Sequence, residues 1–143
     1  MILYVDTSSL LKCFVGEAYS AHVREWMAAA DAVATSRVTY PEAAAAVARR
    51  QRRGDLAPAT LRRVLHRLAD RWSEFMLVDV AEILAGGLAV HHALRGFDAV
   101  QLAAAMTLRD AVGSDGLAFS SFDGELNRAA VSEGLIVLEP GDD

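Results

Sequence analysis

The sequence contains a single cysteine, Cys13, so it cannot form an internal disulfide bond. One unpaired thiol is typical of a protein that works in a reducing compartment, and the expected location is the cytoplasm. The chain also lacks any uninterrupted apolar run near the roughly 20 residues that a membrane helix needs, although 53% of its 143 residues are hydrophobic. Its opening apolar stretch ends at an aspartate and is too short for a signal peptide. These absences predict a soluble globular protein and exclude a disulfide-stapled one.

Positive charge is scarce as well, since 14 Lys and Arg residues face 19 Asp and Glu residues and leave a net charge of −5. This balance argues against a protein that coats nucleic acid without selectivity. The arginines are nevertheless concentrated in one part of the chain, and they predict a patch that contacts phosphate groups. Its members are Arg49, Arg50, Arg52, Arg53, Arg63, Arg67 and Arg71. The alternative is that these arginines form the solvated faces of two surface helices.

Helical and strand-like segments alternate along the chain, with no repeat, low-complexity tract or linker between them. Runs rich in β-branched and aromatic residues predict strands at 2–5, 32–36, 75–78, 117–120 and 135–138. The segments between them have helical periodicity, which predicts helices at 8–15, 19–30, around 41–53, 57–75, 80–94, 98–109 and 125–131. The alternation predicts βαβ units with a parallel sheet, and hence a single three-layer α/β domain over residues 1–143.

Several local features follow from side-chain chemistry. Ser36 or Thr39 is expected to cap the helix whose first turn contains Pro41, and Asp79 is expected to cap the helix at 80–94. The tail at 140–143 is expected to be loose. The inward face of the helix at 80–94 is predicted to comprise Ile83, Leu84, Leu88 and either Val90 or His91.

Four carboxylates stand where an apolar element begins or ends: Asp6, Glu42, Asp98 and Asp123. Taken singly, each is most simply a helix cap or a first-turn acid. In a parallel sheet, however, the ends of the strands and the starts of the following helices meet along one edge, where ligands bind. The sequence therefore predicts that the four acids converge there.

Convergence of four acids requires either bound protons or a cation, because two carboxylates about 4 Å apart repel by roughly 4 kcal/mol at an effective dielectric near 20. Ligands that are all oxygen suit a hard ion such as Mg²⁺ or Mn²⁺. Such an ion supports hydrolysis of phosphodiesters, whether one or two ions take part. Ser8 and Ser121 are close to Asp6 and Asp123 in sequence, and they either assist this site or cap turns.

The histidines do not favour a zinc site. Zinc prefers nitrogen and sulfur ligands, and His22, His66, His91 and His92 have no matching spacing with Cys13. They are expected to be structural or surface residues.

Four stretches together resemble the PIN-domain nucleases, and within them the VapC-type toxins of bacterial toxin–antitoxin pairs. They are Tyr-Val-Asp-Thr-Ser-Ser-Leu-Leu-Lys at 4–12, Tyr-Pro-Glu-Ala-Ala-Ala-Ala at 40–46, Arg-Gly-Phe-Asp-Ala-Val-Gln-Leu-Ala-Ala-Ala at 95–105, and Phe-Ser-Ser-Phe-Asp at 119–123. The Asp98 stretch is the most specific of them. The last stretch departs from the Thr-x-Asp found in many relatives, and Asp115 is a nearby alternative to Asp123.

The resemblance implies a five-stranded parallel sheet flanked by helices and endonucleolytic cleavage of RNA in an acidic pocket that holds Mg²⁺ or Mn²⁺. It carries Asp6, Glu42, Asp98 and Asp123 over as acidic positions and Ser8 and Ser121 as accompanying hydroxyls. It also implies a small antitoxin partner and a homodimer, and it implies that the arginine-rich helices help form the surface that an antitoxin or a second subunit contacts. Trp26 and Trp72 are the apolar residues expected to remain for such contacts.

Two other functions fit parts of the pattern. A phosphatase of the haloacid-dehalogenase type also places an aspartate at the end of its first strand, but it needs a second aspartate two residues later, where this chain has Ser8. A catalytically silent module could instead use the same fold to bind RNA or a protein. The presence of all four acids argues against this second alternative.

Overall fold

The computed structural model describes residues 1–141, and its centre is a sheet of five strands that are all parallel. The order across the sheet is β3-β2-β1-β4-β5, so the first strand is central. The strands are β1 Ile2–Val5, β2 Ala32–Ser36, β3 Met76–Val78, β4 Leu117–Ser120 and β5 Ile136–Val137. The predicted α/β class, parallel sheet and strand positions are confirmed.

Seven α-helices connect the strands within residues 1–141. They are α1 Thr7–Phe14, α2 Ser20–Ala29, α3 Thr39–Arg52, α4 Pro58–Arg71, α5 Glu82–His92, α6 Gly96–Val112 and α7 Gly124–Ser132. None of the helices in this part of the chain is long and apolar enough to cross a membrane. Short 3₁₀ turns at Trp72–Glu74 and Ser114–Gly116 lead into β3 and β4.

Both faces of the sheet are covered, as buried parallel strands require. Along β1, Tyr4 faces a cluster formed with α5, α6 and α7, whereas Leu3 and Val5 face a second cluster formed with α1 to α4. Tyr4 stacks on Phe119 of β4 at a ring distance of 5.7 Å. Because side chains alternate along a strand, β1 contributes residues to both cores.

Two predicted helix caps are wrong. The residue before α3 is Val38, which makes no side-chain capping bond, and Thr39 lies inside the helix with its hydroxyl buried. Ala81 precedes α5, again without a capping bond, because Asp79 instead pairs with Arg37 at the surface at 2.6 Å. The Thr39 hydroxyl contacts Thr35 and Gln101, and the Ser36 hydroxyl accepts from the N–H of Val38, which precedes the helix.

The predicted inward face of α5 is also wrong in part. Ala85 and Leu88 are buried, but Ile83 and Val90 are 88% and 86% exposed. The helix packs on α6, its main neighbour, through the face that carries Ala85 and Leu88, and Ile83, Leu84 and Val90 are left on the outside.

The two tryptophans pack against the core. Trp26 and Trp72 are both partly buried against the cluster formed by α1 to α4, and Trp72 packs edge-on against Tyr40. The prediction of a loose tail concerns residues that include Asp142 and Asp143, which lie outside the described part of the chain.

Candidate active site

Asp6 lies at the carboxyl end of the central strand and is held by four short contacts. Its backbone N–H donates to the carbonyl of Ser120 on β4 at 3.1 Å. Its Oδ1 accepts from the N–H of Ser9 at 2.9 Å and from the Ser8 hydroxyl at 2.7 Å, and its Oδ2 accepts from the Ser121 hydroxyl at 2.6 Å. Asp6 is thus both the N-cap of α1 and a fixed carboxylate at the sheet edge.

Asp123 reaches the same edge from the neighbouring strand β4. Its Oδ1 caps α7 by accepting from the N–H groups of Glu125 and Leu126 at 3.0 and 3.1 Å. Its own N–H donates to the Ser121 hydroxyl at 3.0 Å, which links it to Asp6. Asp115, the alternative considered from sequence, precedes β4 and therefore lies at the opposite end of that strand.

Asp98 stands in the first turn of α6, where the helix dipole favours a carboxylate. The guanidinium of Arg95 lies 3.4 Å from Asp98 Oδ2 and 3.8 Å from Asp123 Oδ2. One largely exposed cation therefore spans the two acids, which brings α6 and α7 together at the site.

Glu42 is positioned by a buried polar network. Its Oε1 accepts from the Thr7 hydroxyl and from Gln101 Nε2, both at 2.9 Å. Gln101 is only 2% exposed, and its own oxygen accepts from the Tyr4 hydroxyl at 2.6 Å. Since Gln101 lies about one turn after Asp98 on α6, a single helix sets the positions of both acids.

Gln101 and Thr7 are residues whose roles the sequence reasoning missed. The signal for Gln101 was present, because it is the single polar side chain in a run of alanines and leucines after Asp98. Thr7 stands directly after Asp6, where a helix start alone accounts for a hydroxyl.

The electrostatics of the pocket reflect crowded negative charge. Burial raises the pKa of Asp6 from its usual 3.8 to about 6, against the opposing effect of its three hydrogen-bond donors, and Asp98 raises it further. Burial also raises the pKa of Asp98, with the charge of Asp123 as the next cause, while Arg95 opposes the shift. The site is therefore short of positive charge.

This donor set fits a hard divalent cation. Every candidate ligand is a carboxylate or hydroxyl oxygen, as such an ion prefers. The pKa values of Asp6 and Asp98 are raised first by burial and then by neighbouring carboxylates, and a nearby cation would favour the charged form of both. Within residues 1–141, no three of these acids have oxygens that all lie within 4.8 Å of one another. Arg95 spans two of them and supplies positive charge between Asp98 and Asp123.

A cleft of about 510 Å³ opens beside the acids. It is lined by Glu42, Arg49, Arg95, Gly96, Phe97 and Asp98. Phe97 exposes 59% of its surface there, so the cleft offers carboxylates, two guanidinium groups and an aromatic ring to one ligand.

The other arginines of the predicted patch lie elsewhere. Arg50 pairs with Glu17 at 3.1 Å and Arg53 with Asp55 at 3.3 Å, while Arg52 and Arg63 are exposed. Arg67 and Arg71 pack over the ring of Phe14, at 5.7 and 5.6 Å, and line a separate cavity of about 430 Å³. Of the seven arginines, Arg49 is the one that lines the acidic cleft.

Comparison with known proteins agrees with this geometry. A family model described as PIN domain matches residues 3–132. Two proteins of Mycobacterium tuberculosis are similar: Ribonuclease VapC45 of strain CDC 1551 / Oshkosh and Ribonuclease VapC49 of strain ATCC 25618 / H37Rv. Each is 35% identical over 139 residues, which is 95% of this chain and 94% of the relative.

The fold is also shared with a solved structure, a toxin–antitoxin complex from Klebsiella pneumoniae. The TM-score is 0.65 at 19% identity, and the match covers 99% of this chain and 99% of the other. At this level of identity the likeness concerns the fold.

Proposed function

Because the chain belongs to the PIN-domain family, we propose that it is an endoribonuclease that hydrolyses RNA phosphodiester bonds with Mg²⁺ or Mn²⁺, as the toxin of a toxin–antitoxin pair. The observation that carries the proposal is the linkage of four carboxylates from four different elements at one sheet edge. The ribonuclease names of both Mycobacterium tuberculosis relatives support the reaction class. The match to these relatives extends over 95% of the chain.

In this proposal Asp6, Asp98, Asp123 and Glu42 hold the ion. The chemistry that a divalent ion supplies when bound is stabilisation of negative charge at phosphorus and a lower pKa of water. Asp6 stays oriented because Ser8, Ser121 and the Ser9 N–H fix both of its oxygens. Glu42 has its Oε1 occupied by Thr7 and Gln101, so its other oxygen is left to accept a proton from water or to contact the ion.

Positive groups at the cleft are suited to the phosphates on either side of the cut. Arg49 and Arg95 line the cleft with the acids, and a guanidinium binds phosphate through two parallel N–H donors. When RNA binds, Arg95 would move from Asp98 and Asp123 to an RNA phosphate, and this movement would open the acidic pocket. The exposed ring of Phe97 offers a stacking surface, which favours an unpaired base and hence single-stranded RNA.

An antitoxin partner is the second part of the proposal. The solved structure that shares this fold is a toxin–antitoxin complex, and the pairing of Arg95 with Asp98 and Asp123 illustrates how an arginine from a partner would neutralise the same acids. We place the pair in the cytoplasm, where a lone buried cysteine stays reduced.

A homodimer is the third part. Ile83, Leu84 and Val90 form an exposed aliphatic surface on α5, and buried apolar area of this kind drives association. A second copy of the chain presents the same surface, so a twofold interface would bury both.

The experiment that tests the function is sequencing of the 5′ ends of cellular RNA after brief induction of the protein. Wild type is expected to create new 5′ ends within minutes, and Asp98→Asn to create none at equal protein level. New ends at the same positions in Asp98→Asn would contradict the proposal. If wild type bound RNA but created no new 5′ ends, the result would favour the catalytically silent binding module.

A further inference from the structure

Three potential metal ligands converge at a place outside the acidic cleft. His91 and His92 end α5, and Glu133 follows α7. One ring nitrogen from each histidine and one carboxylate oxygen all lie within 4.8 Å of one another. We propose that His91, His92 and Glu133 form a second metal site, selective for a borderline ion such as Zn²⁺.

The chemistry of the three side chains differs from that of the acidic cleft. Two imidazole nitrogens and one carboxylate are a ligand set typical of zinc with a fourth position open, and they are a poor set for Mg²⁺, which prefers oxygen. Ni²⁺ and Cu²⁺ share this preference for imidazole. The two sites therefore select different classes of ion.

The ligands are already held near one another. His92 Nε2 lies 2.8 Å from Glu133 Oε1, and the side chains are only 12% and 26% exposed. The rings of His91 and His92 are 4.6 Å apart and nearly perpendicular. An ion would take the place of the proton between His92 and Glu133, and the exposed ring of His91 would turn to complete the set.

The surrounding backbone also favours a cation. Two helices, α5 and α7, end at this point, and the C-terminal end of a helix carries partial negative charge. Ala93 adopts a left-handed conformation with φ of 54°, which ends α5 directly after the two histidines. Arg109 donates from Nη1 to the Glu133 carbonyl and from Nε to Asp110, so its charge is engaged beside the site.

The location gives the site a structural consequence. Binding would tie the end of α5 to the end of α7, and three residues after His92 the chain presents Arg95 to Asp98 and Asp123. Binding would thereby brace the connection between α5 and α6 against the end of α7. A cavity of about 250 Å³ lies beside His92 and is lined also by Ala93, Glu125, Arg128 and Ala129.

The test is calorimetric titration of Zn²⁺ into the metal-free protein, without a histidine tag and in excess Mg²⁺ so that the acidic cleft is saturated. Wild type is expected to bind one equivalent. His92→Gln and Glu133→Gln are expected to bind at least about tenfold more weakly, and so is His91→Gln, whose exposed ring makes it the variant least able to disturb the fold. His66→Gln, at an exposed position of α4, is the matched control and should bind as wild type does.

Asp98→Asn separates this site from the proposed nuclease site. It should abolish RNA cleavage and leave Zn²⁺ binding unchanged. The second site would be overturned if wild type did not bind Zn²⁺ or if Asp98→Asn lost Zn²⁺ binding. It would also be overturned if all three ligand variants bound Zn²⁺ as tightly as wild type does. None of these outcomes bears on whether the protein cleaves RNA.

Discussion

Burying a carboxylate costs free energy, and the three hydrogen-bond donors around Asp6 offset part of that cost. Only 4% of Asp6 is exposed, and its pKa is raised to about 6 even though three donors stabilise the charged form. The folded state therefore holds a proton on Asp6 at pH values where the unfolded chain has released it. This contribution to stability is present at low pH and is lost as the pH rises through about 6.

Asp6→Asn is accordingly expected to stabilise the metal-free protein at neutral pH. The rise in pKa from 3.8 to about 6 corresponds to a gain on the order of 2–3 kcal/mol at pH 7.5, and to little difference near pH 3.5. Asn retains the Oδ1 that caps α1. Urea denaturation at the two pH values, with EDTA to keep the protein metal-free, measures the difference in free energy of unfolding between Asp6→Asn and wild type. Asp115→Asn is the control at an exposed position. A gain of equal size at both pH values would contradict the raised pKa.

The four acids could be predicted from sequence because each stands at the junction of a strand or loop with a helix, and topology brings such junctions to one edge. Gln101 stands out in the sequence as a polar residue in an apolar run, but its partners could not be predicted, and neither could the contacts of Arg95 or the grouping of His91, His92 and Glu133. Their roles depend on contacts between residues distant in sequence, such as the 41 positions that separate His92 from Glu133. Periodicity along one element carries no information about such pairs.

Among the elements, α6 does the most to organise the site. It carries Asp98 at its exposed start and the buried Gln101 one turn later, and its alanines at 103–105 are fully buried. Small residues allow α6 to pack closely on both α5 and the sheet. The sequence pattern of α5 placed Leu88 correctly on the inward face and Ile83 and Val90 wrongly.

Gln101→Leu tests the network on α6. The substitution preserves volume approximately, but it leaves the buried Tyr4 hydroxyl without its acceptor and removes one of the two donors to Glu42 Oε1, the other being Thr7. The expected loss of stability is about 3 kcal/mol, seen as a fall in Tm of roughly 10 °C.

Thr107→Ala on the same helix is the control for this experiment. The Thr107 hydroxyl bonds only to the carbonyl of Ala103 within α6, so its loss should change stability by less than about 0.5 kcal/mol. If Gln101→Leu were as stable as Thr107→Ala, the network would not hold Glu42 in place.

For the whole molecule, the proposed assembly explains an exposed apolar surface that the core does not use. Ile83→Glu combined with Val90→Glu places charge on α5 and is expected to convert a dimer to a monomer in light scattering. Thermal stability should change little because both side chains are already in solvent.

Val131→Glu provides the matched control for the surface on α5. Val131 is 62% exposed on α7, so charge there should leave the dimer intact. A double variant that stays dimeric, or a wild type that is already monomeric, would contradict the proposed interface.

The central claim is that the four acids hold a divalent ion for RNA hydrolysis, and cleavage of a labelled single-stranded RNA by the EDTA-stripped protein tests it most directly. With Mg²⁺ restored, wild type and Asp115→Asn are expected to cleave at similar rates. Asp98→Asn should be slower by about a hundredfold or more. Cleavage that persists in excess EDTA, or that Asp98→Asn supports at the wild-type rate, would contradict the account.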